Sequence, residues 1–175
     1  MKTISVYVEG GGHLMQQRKE LRKGLDALMR VQKEAALAKG LRWRVVPSGN
    51  NQEAYEAFQA ELRVADDDAI VVLLVDSDAP LPGETGNETV DAQARVAHLA
   101  NLQGWSFQKV DPHQVHLMVQ CMEAWIVADP DALNGYYGKK FHAKKLPVRP
   151  NLEEEPKADL YKKLAAVTRD TSKGE

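Results

Sequence analysis

Apolar positions along the chain recur in two rhythms, short strand-like runs and longer helical stripes. The longest run, Ala69-Ile-Val-Val-Leu-Leu-Val75, has no polar break and stops at Asp76, Ser77, Asp78 and Pro80. A stretch this apolar and rich in β-branched residues and leucine predicts a strand buried on both faces of a parallel sheet. Two carboxylates are left at its C-terminal end, the edge where open parallel sheets place their ligands. Near the N-terminus, Thr3 to Val8 alternates like a strand and runs into Glu9-Gly10-Gly11-Gly12, a sharp glycine turn. From about Leu14 to Lys39, Leu21, Leu25, Leu28 and Met29 fall on one face, predicting a single long helix that Gly40 stops.

The same alternation continues downstream. Leu41 to Pro47 reads as a second strand, and Asn50 with Glu53 resembles a capping box for a helix burying Tyr55, Phe58 and Leu62. Val90 to Leu102 carries a helical stripe ended by Gly104. Trp105 to Val110 reads as a further strand, and Val115 to Val119 as a short one leading into a helical Cys121 to Ala128. Strands alternating with helices predict an α/β domain with a mainly parallel sheet flanked by helices, its strand ends sharing one edge. Beyond Asp129 the texture changes to a short capped helix, a basic and aromatic stretch from Gly138 to Pro150, and a last helix near Pro156 to Val167. The expected organisation is an α/β core over residues 1–128, with a helical appendage over 129–175 packed on the same domain.

Composition adds limits. The chain has 175 residues, 43% of them hydrophobic, with a formal net charge of −2. That is ample for a core and creates no global positive field. The single cysteine, Cys121, excludes an internal disulfide and suits a reducing compartment, so a cytoplasmic protein is expected. No apolar run approaches the length of a membrane span, and Met1-Lys2-Thr3 leads straight into a strand-like run, so neither a membrane span nor a signal peptide is expected.

Glu9, Asp76 and Asp78 each follow a predicted strand, so a parallel sheet would bring three carboxylates to one edge. Clustered carboxylates repel unless protonated or sharing a cation, and an oxygen-only set favours Mg²⁺ or Mn²⁺. The competing reading makes Asp76-Ser77-Asp78 a capped turn and Glu9 an exposed strand end. Glu9 and Asp76, placed at an edge, are expected to lend the core no support. Glu123, among Leu117, Met118, Met122, Trp125 and Ile126, is either a further ligand or an ion-paired structural residue. Gly10, Gly11 and Gly12 ahead of a helix offer backbone N–H groups to a phosphate, or form an ordinary tight turn. The acid run Asp66 to Asp68 is assigned no catalytic role. Lys139, Lys140, Lys144 and Lys145 crowd one stretch with Tyr136, Tyr137 and Phe141, a pattern for holding a nucleic-acid strand by phosphate contacts and stacking, or a solvated loop.

Glu9-Gly10 after one hydrophobic strand, with Asp76-x-Asp78 after a later one, is similar to the pattern of toprim domains. More narrowly, Val6 to Gly12, Leu21-Arg-Lys-Gly24, Val75-Asp-Ser-Asp78 and His116 to Trp125 together resemble a family of uncharacterised bacterial toprim-like proteins, often encoded beside an ATPase in phage-defence systems. The resemblance implies a Rossmann-like toprim fold and Mg²⁺- or Mn²⁺-dependent phosphodiester hydrolysis. It implies that Asp76 and Asp78 hold the ion, that Glu9 acts as general acid/base or ligand, and that Glu123 is a further acid. Nucleic acid is the expected substrate and an ATPase an expected partner. The alternative is a non-catalytic toprim-like subunit that binds nucleic acid or scaffolds a complex.

Overall fold

The structure, a computed structural model, describes residues 2–66, 68–81, 83, 85–147 and 149–172. Asp67 of the acid run lies outside them. The elements are β1 (Thr3–Val8), α1 (Met15–Leu28), α2 (Arg30–Ala38), β2 (Arg42–Pro47), α3 (Asn51–Val64), β3 (Ile70–Asp76), α4 (Glu88–Gln103), β4 (Val115–Met118), α5 (Met122–Val127), α6 (Pro130–Tyr137) and α7 (Lys157–Thr168). Short 3₁₀ turns occur at Pro112–Gln114, Ala143–Lys145 and Leu152–Glu154. Among the described residues the sheet has four parallel strands in the order β2-β1-β3-β4, flanked by helices in a Rossmann-like α/β arrangement. The most apolar run therefore lies between two neighbours, as its lack of a polar face requires.

Two expectations fail in detail. The long helix breaks at Met29, whose φ of −92° and ψ of 27° separate α1 from α2. Trp105 to Val110 is not a strand. Trp105 instead lies flat on Tyr55 of α3, ring centroids 4.4 Å apart, and its indole N–H donates to Gln52 Oε1 at 2.7 Å. Phe107 meets the same tyrosine edge-on, and the Tyr55 hydroxyl donates to the Ser106 carbonyl at 2.7 Å. The alternating aromatics fasten this segment to a helix, so their periodicity reports side-chain packing and not a ladder.

The chain divides into two compact units, Met1–Val75 with Glu84–His116, and Asp76–Gly83 with Leu117–Glu175. The first unit buries Val6, Val8, Val45, Phe58, Val71, Leu73, Val75 and Leu99. A polar knot sits on its sheet. The Tyr7 hydroxyl donates to Glu61 Oε2 at 2.9 Å, while Arg44 Nη2 donates to Tyr7 Oη at 3.1 Å and to Glu61 Oε1 at 2.6 Å. Burial, reinforced by the Glu61 hydrogen bond, pushes the Tyr7 hydroxyl up to about 12. The second unit has its own core of Cys121, Ala124, Val127, Leu133, Phe141, Leu146, Leu160 and Val167. Among the described residues no helix is long and apolar enough to cross a membrane.

Candidate functional site

The second unit opens with the acids that end β3, and backbone hydrogen bonds fix where they point. The Ser77 N–H donates to the Met118 carbonyl at 3.1 Å and the Asp78 N–H to the Gln120 carbonyl at 3.0 Å. Ser77 Oγ donates to the Ala79 carbonyl at 2.7 Å, tightening the turn. Asp78 is held at φ 57°, the left-handed region that non-glycine residues enter at a cost and that Asp tolerates better than most.

Asp76 is 5% exposed, against the expectation that an edge carboxylate lends no structural support. Its Oδ1 accepts the backbone N–H of Met122, the first residue of α5, at 2.9 Å. Its Oδ2 accepts from Lys157 Nζ at 2.9 Å, and Asp78 Oδ1 accepts from the same ammonium at 2.5 Å. Two carboxylates thus converge on one positive charge supplied by the first residue of α7. Burial raises the Asp76 carboxyl above the ordinary range, although hydrogen bonding and charge from Lys157 and the Met122 N–H act the other way. Burial alone would lower the Lys157 ammonium, but its bonds to Asp78 and Asp76 and their charges lift it above the ordinary lysine range. Lys157 is therefore a fixed cation at neutral pH and not a nucleophile.

Other titratable groups surround the pair. Glu123 lies in the first turn of α5, half-buried, whereas Trp125 and Ile126 on the same short helix are exposed, so its setting is less apolar than its neighbours suggested. Burial raises Asp76, Cys121 and Tyr161, and the Glu123 charge adds to it in all three. Tyr161 stands one helical turn after Lys157, with the ammonium 5.7 Å from its ring centroid. Cys121 is fully buried, and its thiol is pushed up to about 11, mainly by burial.

Glu9 and the glycine turn belong to the first unit. The Glu9 N–H donates to the Leu74 carbonyl at 3.0 Å, one step beyond the Val8↔Leu74 register of the parallel β1 and β3. Gly10 and Gly49 exchange backbone hydrogen bonds across an isolated bridge. Gly11 has φ 80°, and a Cβ there would lie 3.1 Å from the Arg18 Cα and 3.2 Å from the Pro47 Cβ. Arg18 Nε donates to the Gly12 carbonyl at 2.9 Å. Close backbone approach accounts for glycine at this turn.

Lys139, Lys140, Lys144 and Lys145 are exposed, the last two on a 3₁₀ turn. Lys145 also lines an open cleft of about 450 Å³ with Asp159, Lys162 and Lys163. The rings beside them differ from expectation. Phe141 is 8% exposed and belongs to the core, and Tyr137 stacks on it at 5.4 Å, which leaves Tyr136 as the exposed ring. Lys157 and Tyr161 are the residues that sequence reading missed. A lysine opening a helix directly after Pro156 runs against the helix dipole, and that was the one local signal.

The donors around Lys157 suit a hard divalent cation in kind, since they are carboxylate oxygens aimed at one charge with Glu123 near enough to be felt. Among the described residues, however, no group of three or more His, Cys, Asp or Glu side chains is arranged to hold a metal ion. Within the second unit an ammonium sits where the Asp76 and Asp78 oxygens meet. Fold and site together define an α/β protein with a parallel sheet whose interior strand ends in a carboxylate pair bridged by a lysine. The chain belongs to the family described as a domain of unknown function (DUF4276), whose model matches residues 8–175. No curated protein and no solved structure matches it.

Proposed function

We propose that the protein is a toprim-like, Mg²⁺- or Mn²⁺-dependent nuclease, an effector in a phage-defence system working with an ATPase partner. One observation carries the reading. Asp76 is kept at the end of an interior strand, nearly buried, where burial works against its charge, and is aimed with Asp78 at a single cation. Carboxylates retained against solvation are typical of sites where they are needed for chemistry. Asp76 and Asp78 would hold the ion, and Glu123 would add negative potential beside it. A bound divalent ion supplies a water of lowered pKa and neutralises charge on a phosphodiester. Lys139, Lys140, Lys144 and Lys145 would anchor the phosphate backbone.

The test pairs calorimetric Mn²⁺ binding with cleavage of single- and double-stranded DNA and RNA. The expected result is Mn²⁺ binding and cation-dependent cleavage in the wild type, both lost in Asp76→Asn and Asp78→Asn. A second reading, a non-catalytic subunit that binds nucleic acid or scaffolds a complex, is favoured by the Lys157 bridge, which already gives the pair a positive charge to share. Nucleic-acid binding without cation uptake or cleavage would decide for it.

A further inference from the structure

We propose that Lys157 and a divalent cation are alternative occupants of the position between Asp76 and Asp78, so that the first turn of α7 sets how readily this site takes up a metal ion. The inference rests on the reading that the acid pair holds such an ion. It concerns the regulation of that site.

Lys157 and a divalent ion would use the same two carboxylate oxygens. Lys157 Nζ is 2.9 Å from Asp76 Oδ2 and 2.5 Å from Asp78 Oδ1. Divalent ions bound to carboxylates sit about 2.0–2.6 Å from the oxygens. An ion sharing both carboxylates would stand almost on top of the ammonium, so one must leave for the other to enter.

The placement of Lys157 supports a role beyond packing. It is the first residue of α7, where the positive end of a helix disfavours a cation, so the carboxylates and not the helix hold it there. Its side chain is a quarter exposed, long and flexible, and needs no backbone change to withdraw. The Tyr161 ring, one turn along the same helix, has its centroid 5.7 Å from the ammonium in its place between the carboxylates, so an aromatic face flanks the position that the ammonium would vacate. Asp76 keeps its Met122 N–H bond in either state, because that bond uses Oδ1 and Lys157 uses Oδ2. The exchange therefore spares the backbone that positions the pair. Metal affinity is lowered by the fraction of molecules in which Lys157 is in place.

The experiment measures Mn²⁺ affinity by calorimetry for wild type, Lys157→Met, Lys157→Arg and the Asp76→Asn/Lys157→Met double variant. Alongside it, lysine acetylation of the wild type is read by mass spectrometry with and without Mg²⁺. Lys157→Met should bind Mn²⁺ at least about tenfold more tightly than wild type, as expected when a competing occupant is removed. Lys157→Arg should bind no tighter than wild type, and the double variant should bind none. In the wild type, Mg²⁺ should increase acetylation of Lys157 while leaving that of Lys139 unchanged. If Lys157→Met does not fold, the acetylation arm decides alone. Equal Mn²⁺ affinity in wild type and Lys157→Met, or Lys157 labelling that ignores Mg²⁺, would overturn the competition and leave the metal reading standing. Failure of Mn²⁺ to bind wild type and every Lys157 variant would overturn both.

Discussion

Removing the Asp76 side chain tests whether this carboxylate is structural as well as chemical. Asp76→Ala deletes the acceptor that the Met122 N–H finds at 2.9 Å and one of the two acceptors of Lys157. A part-buried N–H left without a partner costs about 1–3 kcal/mol, and a small void is left at a side chain only 7% exposed. Asp76→Asn keeps an oxygen for Met122 and fills the same volume. It gives up the charge-assisted bond to Lys157, and it also removes the carboxylate that burial disfavours. These two effects oppose each other. The expected order is wild type and Asp76→Asn within about 1 kcal/mol, with Asp76→Ala lower by about 2–4 kcal/mol. Urea unfolding gives the totals, and exchange of the Met122 amide gives the local cause. In Asp76→Ala its protection should fall roughly tenfold or more, the factor that corresponds to about 1.4 kcal/mol. Equal stability of the two variants, with the Met122 amide equally protected in both, would refute the reasoning.

Further outcomes can be checked separately. Tyr7 has its hydroxyl raised to about 12 against an ordinary value near 10. Its contribution to the first unit is complete below about pH 10 and is lost as pH rises toward 12, so the melting temperature of wild type should fall over that window and that of Tyr7→Phe should fall less. Trp105→Ala should destabilise the first unit by about 3–5 kcal/mol, because a buried indole stacked on Tyr55 and bonded to Gln52 is deleted. A loss below about 1 kcal/mol by thermal melting would contradict that packing. Replacing Lys139, Lys140, Lys144 and Lys145 with glutamine should weaken nucleic-acid binding at low salt and flatten its salt dependence without altering Mn²⁺ affinity. Equal binding by fluorescence anisotropy at every salt concentration would mark those lysines as a solvated surface.

What the sequence disclosed follows the range of the forces involved. β3 was legible because a strand buried on both faces must be apolar throughout, and the Glu9 to Gly12 turn because positive φ demands glycine. Asn50 caps α3 through the Glu53 N–H as its spacing indicates. The break at Met29 was hidden because Leu28, Met29 and Arg30 are all good helix formers. Trp105 to Val110 misled because alternation measures which side chains are buried and not what buries them. Asp76 and Asp78 were legible as a pair. Their counter-ion was not, since Lys157 is 81 residues from Asp76 and 79 from Asp78 along the chain, and no periodicity links residues so far apart. The role of Phe141 was misjudged for a related reason, because an aromatic among lysines looks like a surface ring until the core it completes is known.

Cys121, the chain's single thiol, lines that core beside α5 with no exposed surface. Its ionisation is pushed up to about 11, so in the closed state it meets an alkylating reagent neither as an accessible atom nor as a thiolate. The protein thereby carries its own clock for the second unit. Each transient opening that exposes the thiol is recorded as an irreversible mass increment, and the labelling rate at rising reagent concentration separates how often the unit opens from how long it stays open.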